Sequence, residues 1–347
     1  MTNQQTVFLG IDCGATTSKV GGVGADGMPL SDELRQHPTD SGAGAGAILA
    51  AWIDSAEEFL QSVGRRWDDV AGAGLAIPGP YQSYGVLGRM PNMSASLEGW
   101  RFLEDLGRAI EKRAGRAIPV VTANDGLLAG LAEARLVQRT EPGGVLMLAP
   151  GSGLGCSFVD AEGRLLEGDH QAAVILCHMP LPHGRLGLPA FRCGCGRDWG
   201  CCEAYTSISG LPQLLEHFLP EFPGHELADD PADPKEKALS LRARAQRNDP
   251  LAQRIFDAQA RALGLTAAIG AMAYDPTHII IGGGLMDRSA TTPEFRRRYL
   301  RLVRESAAAY SWVPVAEWTF REAALGELSQ AIGAALLAMR RTPSRHP

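Results

Sequence analysis

The chain has 347 residues, more than one ordinary hydrophobic core serves, so two domains are expected. Its composition, 45% hydrophobic and 21% charged, is typical of a globular protein. The formal net charge of −6, with 33 scattered Lys and Arg, argues against a nucleic-acid partner, and no apolar run is long enough for a membrane helix. The polar start lacks the basic region of a signal peptide. The seven cysteines are odd in number and four of them are clustered, which suits a reducing compartment, so a cytoplasmic protein is expected.

Short apolar runs and small-residue turns organise the first part of the chain. A buried strand is predicted over 7–11, a turn over 12–18 and a second strand over 19–23, which together make a hairpin. Further along, the pattern predicts a helix over 42–60, a strand over 70–77, a helix over 100–114, an edge strand over 118–121 and a helix over 126–135.

The second part of the chain begins after a predicted boundary at 141–144 and repeats the first pattern. A strand over 145–148, a turn over 150–153 and a strand over 154–159 form a weak internal repeat, which suggests two related, facing halves. The sequence then predicts an exposed loop over 220–237, a helix over 250–273, a strand over 278–281 and a last helix over 325–339. We expect a smaller domain of residues 1–138 with 325–347, and a larger one of 139–324.

Three glycine-containing turns have the composition of phosphate or nucleotide sites. They are Asp12–Thr17, Gly151-Ser152-Gly153 and Gly282-Gly283-Gly284. Backbone N–H groups in such turns bind phosphate, and a carboxylate can orient Mg²⁺ or its waters. An ordinary hairpin turn is an equally good interpretation of the first turn alone. Two such turns on related halves are less expected by chance.

Asn124 and Asp125 stand between a predicted strand and a predicted helix, where side chains project from the edge of a sheet. Either residue suits a helix N-cap, which is the commoner use of this pair. Asp125 also suits a general base that takes a proton from an attacking hydroxyl. One of the two residues can cap the helix while the other takes part in catalysis.

Four of the seven cysteines lie within residues 193–203, separated by glycines. Short flexible segments of this kind bring thiolates to a tetrahedral zinc ion, so we expect a zinc site with Cys193, Cys195 and Cys201. Spacing alone leaves the fourth ligand open among His170, His178, His183 and Cys202. Cys13, Cys156 and Cys177 are interpreted as small buried apolar residues.

These motifs together resemble the ROK family (bacterial repressors, unassigned reading frames and sugar kinases), from Leu9 to about Ala338. The matching segments are Gly10-Ile11-Asp12-Cys13-Gly14-Ala15-Thr16, Ile77-Pro78-Gly79-Pro80, Pro91-Asn92-Met93, Asn124-Asp125, Gly151-Ser152-Gly153-Leu154-Gly155, His178-Met179, the cysteine stretch ending at Glu203, Ile281-Gly282-Gly283-Gly284 and Leu325-Gly326-Glu327. The resemblance implies an actin-like, ribonuclease-H-like ATPase fold of class α/β, with two domains and a cleft between them.

The resemblance also implies a role for each group of residues. Asp125 is the catalytic base, and the acceptor is bound by Gly79, Asn92, Asn124, His178, Glu203 and the residue at position 175. ATP with Mg²⁺ is bound by Asp12, Gly14, Thr16, Thr17, Lys19, Gly151, Ser152, Gly153 and the glycines 282–284. His178 completes a structural zinc site with Cys193, Cys195 and Cys201. A homodimer is expected.

Departures from the family pattern bear on the substrate. The usual Gly-Glu-x-Gly-His segment reads here Val174-Ile175-Leu176-Cys177-His178, so isoleucine replaces a sugar-binding glutamate. An unpaired buried hydroxyl costs about 1–3 kcal/mol, so plain glucose should bind poorly. In addition, Ala15 replaces a glycine, and one extra residue lies between Cys195 and Cys201.

The sequence therefore predicts an ATP-dependent kinase that phosphorylates a primary hydroxyl of a sugar or sugar-like polyol. A C7-cyclitol kinase is an alternative of the same class, and polyphosphate stays open as a donor. A family member whose catalytic activity is weakened by loss of the glutamate is a further alternative. A sugar-binding regulator is disfavoured, because the first strand begins at Val7 and leaves no room for a preceding DNA-binding helix-turn-helix.

Overall fold

A computed structural model describes residues 5–14, 16–89, 93–169, 173–312 and 317–342. The chain divides into two compact units. Unit 1 is Met1–Leu136 with Glu327–Pro347, and unit 2 is Val137–Gly326. Both combine a sheet with helices, so the predicted α/β class is confirmed. Among the described helices, none is long and apolar enough to cross a bilayer.

Unit 1 is built on a five-stranded sheet. The strands are β1 Val7–Cys13, β2 Thr17–Gly24, β3 Arg35–Pro38, β4 Val70–Ala76 and β7 Val120–Ala123, and a small hairpin adds β5 Tyr81–Ser83 and β6 Val86–Leu87. The strand order in the sheet is β3-β2-β1-β4-β7, in which β2 is antiparallel to both β1 and β3, whereas β1, β4 and β7 are parallel. The predicted hairpin and edge strand are thus present.

Four helices accompany this sheet: α1 Ala45–Ser62, α2 Phe102–Ala114, α3 Asp125–Gln138 and α10 Ser329–Arg341. The last helix packs on β1 and β4 at very short range, because glycine stands at the contact. A Cβ atom at Gly10 would lie 1.8 Å from the carbonyl oxygen of Ala331, and one at Gly74 would lie 2.0 Å from that of Ala334. The C-terminal helix therefore belongs to the first unit through backbone contact.

Replacing Gly74 by alanine should destabilise unit 1 by about 3 kcal/mol or more, because α10 must move away from the sheet. Gly46→Ala is the matched control, since a Cβ there meets nothing within 4 Å. That change should be neutral or stabilising by up to about 1 kcal/mol. Urea unfolding of the two variants measures the difference. Equal stability would contradict the close packing of α10.

Among the described residues, the sheet of unit 2 repeats four of the five strands of the unit 1 sheet, without an equivalent of β3. Its order is β11-β10-β8-β9, with an antiparallel hairpin β8–β9 and two parallel strands beyond β8, as β4 and β7 lie beyond β1. The strands are β8 Val145–Pro150, β9 Leu154–Val159, β10 His278–Ile281 and β11 Thr319–Glu322. The internal repeat seen in the sequence therefore corresponds to a repeated sheet topology.

The helices of unit 2 are α4 Cys202–Thr206, α5 Leu211–Phe218, α6 Glu226–Asp229, α7 Pro234–Gln246, α8 Pro250–Tyr274 and α9 Pro293–Tyr310. The prediction of an exposed loop over 220–237 is wrong in part, since α6 and the start of α7 lie there. Asp233 accepts the backbone N–H groups of Lys235 and Glu236 at 2.8 and 2.9 Å and so begins α7 at Pro234.

Candidate functional site

The turn between β1 and β2 is held by one hydrogen bond within it and by two hydrogen bonds from Thr39. The N–H of Gly14 donates to the carbonyl of Thr17 at 3.0 Å, and the N–H of Thr39 donates to the carbonyl of Thr16 at 2.9 Å. The Thr39 hydroxyl donates to the carbonyl of Gly14 at 2.7 Å. The two bonds from Thr39 are accepted by carbonyl oxygens of the turn, so they hold the turn in place without using its N–H groups. Ala15 lies outside the described residues.

Asp12 and Lys19 face each other across this hairpin. The Lys19 ammonium lies 3.8 Å from the Asp12 carboxylate and 3.3 Å from that of Glu327. Asp12 is only 6% exposed. Burial raises the pKa of Asp12 to about 7, with Lys19 opposing the shift and Asp125 and Glu327 adding to it. The Asp12 carboxyl is therefore costly to ionise when no cation is present. A cation bound here would favour its charged form.

Asp12→Asn should stabilise the protein at pH 8 and leave it nearly unchanged at pH 4. The folded pKa of Asp12 lies above its ordinary value of 3.8, so the wild type binds more protons when folded and loses stability as pH rises toward 7. The gain at pH 8 should be on the order of a few kcal/mol. Denaturant unfolding across this range, without nucleotide or Mg²⁺, measures it. A variant less stable than wild type at pH 8 would contradict the burial of an uncompensated carboxyl.

Asn124 and Asp125 share one backbone donor at the start of α3. The N–H of Gly126 lies 3.0 Å from Oδ1 of Asn124 and 2.8 Å from Oδ1 of Asp125. Both side chains thus take part in the helix cap. Burial raises the pKa of Asp125, against the lowering effect of the N–H groups of Gly126 and of Asp125 itself. A raised pKa makes this carboxylate a better proton acceptor.

Tyr81 is a neighbour of Asp125 that the sequence did not single out. Burial, and next the charge of Asp125, raise the pKa of the Tyr81 phenol. The Tyr81 hydroxyl donates to the carbonyl of Ile77. Gly79 lies between these two residues in a turn that contains a cis Gly79–Pro80 bond. No sequence signal separates Tyr81 from an ordinary strand tyrosine.

The turn between β8 and β9 is the equivalent of the first turn in unit 2. The N–H of Gly151 donates to the carbonyl of Gly153 at 2.8 Å, and the N–H groups of Ile208 and Ser209 donate to the carbonyls of Gly151 and Ser152 at 2.8 and 3.4 Å. Here too the bonds from neighbouring backbone use carbonyl oxygens. Ser152 is exposed at the tip of the turn.

Glu203 contacts this turn directly. Its Oε2 accepts the N–H of Leu154 at 2.9 Å, and a Cβ at Gly153 would lie 2.6 Å from the same oxygen. Glycine at 153 therefore leaves room for the Glu203 carboxylate. Glu203 is half-buried in the first turn of α4, next to Cys201 and Cys202.

The glycines 282–284 follow β10, at the end of the same sheet. Gly283 adopts φ 73°, and a Cβ there would lie 2.0 Å from the carbonyl oxygen of Pro150 at the end of β8. Gly282 donates its N–H to the carbonyl of Leu148 at 2.9 Å. The segment thus presents bare backbone beside the β8–β9 hairpin, which is the surface a nucleotide base or ribose could lie against.

One donor atom from each of His178, Cys193, Cys195 and Cys201 lies within 4.8 Å of the other three. The sulfurs of Cys195 and Cys201 are 3.8 Å apart, and Cys193 Sγ is 3.7 Å from His178 Nδ1. Ligands at about 2.3 Å (sulfur) and 2.0–2.1 Å (nitrogen) from a tetrahedral zinc are separated by about 3.8 and 3.6 Å. The donor set and these spacings fit Zn²⁺.

Tight turns and a short bridge bring these ligands together. The N–H of Cys193 donates to the carbonyl of Arg197 at 2.8 Å, and Gly196 has φ 89° within that turn. Pro180 forms an isolated antiparallel bridge with Cys201, which places the segment after His178 alongside the third thiol. The indole N–H of Trp199 donates to Cys201 Sγ at 2.9 Å.

The other candidate ligands are placed differently. Cys202 is buried and lies outside the four-residue group, and His183 Nδ1 bonds the carbonyl of Leu188 at 2.7 Å. His170 lies outside the described residues, as does Asn92. Cys13 and Cys156 are buried as expected. Cys177 packs against the hydrophobic core of unit 2 but is only half-buried and lies with His178 and Glu203, so the prediction that it is buried is wrong in extent.

Ile175 is 44% exposed and immediately precedes a short 3₁₀ turn, Leu176–His178. Val174 before it is buried and has φ 58°, a left-handed conformation that is unusual for a β-branched residue. Glycine occupies this position in the family pattern and adopts the conformation readily. The backbone at Val174 thus has the left-handed conformation that suits the glycine of the family pattern. At Ile175 an apolar side chain replaces the glutamate of that pattern.

Known proteins resemble this chain over nearly its whole length. The sequence profile of the ROK family matches residues 8–341. A glucokinase of Halalkalibacterium halodurans is 27% identical over 332 residues, covering 94% of this chain and 93% of that kinase. The N-acetylgalactosamine kinase AgaK of a Shewanella strain is 27% identical over 334 residues, covering 95% and 96%. The structure of the ROK hexokinase from Thermus thermophilus matches with a TM-score of 0.71 and 28% identity, over 96% of this chain and 98% of that one.

Proposed function

This chain belongs to the ROK family and is a phosphotransferase with an alcohol acceptor, and we propose that it transfers the γ-phosphoryl group of ATP to a primary hydroxyl of a sugar-like polyol. The predicted actin-like, ribonuclease-H-like fold is confirmed by the same comparisons. The observation that carries the proposal is Asp125, a carboxylate of raised pKa at the N-terminus of α3. It is the group we assign as general base.

Asp125 would take the proton of the attacking hydroxyl as the phosphoryl group moves. The Gly126 N–H holds Oδ1 in the helix cap, so the carboxylate has a fixed orientation. A base whose pKa is raised toward neutral is more effective than an ordinary aspartate. Phosphoryl transfer otherwise needs alignment and charge stabilisation more than covalent chemistry.

The donor side of the proposal uses the glycine-containing turns. Asp12, Thr16, Thr17 and Lys19 would supply a carboxylate, hydroxyls and an ammonium to ATP and its Mg²⁺. The N–H of Gly14 already donates to the carbonyl of Thr17, so Gly14 would contribute to ATP binding by keeping the turn free of a side chain. The second turn and the strand end supply further backbone through Gly151, Ser152, Gly153, Gly282, Gly283 and Gly284. Mg²⁺ bound with ATP neutralises phosphate charge, and Asp12 would orient the cation or its waters.

The acceptor side uses Asn124, His178 and Glu203, with Gly79 and Asn92. The nitrogen of His178 that lies nearest Cys193 is Nδ1, at 3.7 Å. A zinc bound at Nδ1 fixes the ring and leaves the Nε2 proton to donate to a substrate hydroxyl. Glu203, held by the Leu154 N–H, would accept a hydroxyl proton. We therefore assign zinc a structural role, in which it orients acceptor contacts.

Ile175 directs the choice of acceptor away from plain glucose. Its exposed apolar side chain cannot accept a hydroxyl proton, whereas it can contact an apolar substituent. A modified sugar or a C7-cyclitol suits such a contact. An ADP-release screen over hexoses, N-acetylated hexosamines and cyclitols tests this, and the proposal expects turnover above the ATPase background with at least one polyol. Background rates with every polyol would refute the kinase proposal.

Ile175→Glu should raise kcat/KM for glucose about tenfold. The new carboxylate would accept a hydrogen bond from a glucose hydroxyl, and leaving a buried hydroxyl unpaired costs about 1–3 kcal/mol. Ile175→Leu is the matched control, since it keeps an apolar side chain, and it should leave glucose kinetics unchanged. Steady-state kinetics with glucose and ATP measure both. No change in Ile175→Glu would show that acceptor choice is set by more than this position.

A further inference from the structure

Three side chains outside the cysteine turns form a second cluster of metal-type donors. One donor atom each from Cys177, His178 and Glu203 lies within 4.8 Å of the other two. All three residues are half-buried, so the cluster is reachable from solvent. It contains none of the three thiols that accompany His178 in the four-residue group.

A thiolate, an imidazole and a carboxylate are the three side chains that bind zinc most often. Three protein ligands with an open fourth position describe an exchangeable site, in contrast to a closed structural site of four. The Leu154 N–H, which donates to Glu203 Oε2 at 2.9 Å, orients the carboxylate as outer contacts do in metal sites. The second cluster therefore has the ligands and the supporting contact of an open site.

His178 is common to both clusters, and its ring has two nitrogens. Nδ1 lies 3.7 Å from Cys193 Sγ and serves the structural zinc. The other nitrogen, Nε2, can bond a second cation once its proton is released to solvent, since the resulting imidazolate has a lone pair on each nitrogen. We propose that Cys177, His178 and Glu203 form a second, open site for a thiophilic divalent cation such as Zn²⁺, whose occupation excludes the acceptor.

The inhibitory consequence rests on the proposed function, in which His178 and Glu203 bind acceptor hydroxyls. A cation that takes both groups removes two acceptor contacts at once. Zinc should therefore compete with the acceptor and leave binding of ATP unaffected. Removing Cys177 should abolish the site and spare the structural zinc, because Cys177 is not among that zinc's ligands.

Equilibrium dialysis of zinc-loaded protein against buffered free Zn²⁺, followed by metal analysis, tests the site without any turnover. Wild type and the control Cys13→Ala should bind two equivalents, and Cys177→Ala should bind one. One equivalent in wild type, or two in Cys177→Ala, would overturn the proposal. Because this readout needs no catalysis, it is independent of whether the kinase proposal succeeds.

Kinetics then test the inhibition. With free Zn²⁺ at about ten times its Kd for the second site, the acceptor KM of the wild type should rise about tenfold at unchanged kcat. The acceptor KM of Cys177→Ala should not change. A rise in both proteins, or a fall in kcat alone, would show that zinc acts elsewhere.

Discussion

Asp125→Asn is expected to lower kcat by about 10²–10⁴ and to leave the fold intact, because the amide keeps the helix-capping oxygen and loses the basic carboxylate. Asp125 Oδ1 accepts the Gly126 N–H, and an asparagine oxygen can accept the same bond. Burial raises the pKa of Asp125, so the charged form is disfavoured in the folded protein. The variant should therefore be at least as stable as wild type at pH 8.

Asp233→Asn is the matched control for this change. Asp233 caps α7 by accepting the N–H groups of Lys235 and Glu236, and it belongs to none of the candidate sites. It should keep wild-type kcat and KM. Steady-state kinetics and thermal unfolding of the three proteins provide the comparison, and near-wild-type turnover in Asp125→Asn would exclude this residue as the base.

Cys195→Ser should lose zinc, destabilise unit 2 by several kcal/mol and raise the acceptor KM together. A structural zinc contributes its binding energy to folding, so removing one of four ligands weakens both. The KM effect follows because His178 is itself one of the four ligands and Glu203 lies beside them: Cys193 Sγ is 3.7 Å from both His178 Nδ1 and Glu203 Oε1. Metal analysis, urea unfolding and kinetics measure the three effects.

Cys202→Ala is the control, because Cys202 adjoins Cys201 in sequence but lies outside the ligand group. It should keep the structural zinc at full stoichiometry and lose some stability as a buried side chain is truncated. Zinc retained at full stoichiometry in Cys195→Ser would show that the ligand set is wrong.

The sequence was most informative where local chemistry determines local structure. The alternation of strands and small-residue turns predicts both hairpins, and the density of cysteines predicts the cluster of metal-type donors at His178, Cys193, Cys195 and Cys201. The repeat of strand, turn and strand also anticipated that β8–β9 would stand in a sheet with the same order as β1–β2.

Contacts between distant residues could not be predicted in this way. Glu327 meets Lys19, and Glu203 meets the Leu154 N–H, through packing of segments far apart in the chain. The sequence predicts Cys177 as a small buried apolar residue, because a single cysteine gives no sign of its neighbours. The helix starting at Pro234 was missed, since Pro and acidic residues suit both a loop and a helix N-terminus.

The most direct test of the central claim is the ³¹P spectrum of a reaction containing the protein, ATP, Mg²⁺ and the best acceptor of the ADP-release screen. The account predicts a new phosphomonoester on a primary carbon, whose phosphorus couples to two protons, formed in equal amount to ADP and absent with Asp125→Asn. A spectrum that shows inorganic phosphate and ADP alone would contradict it.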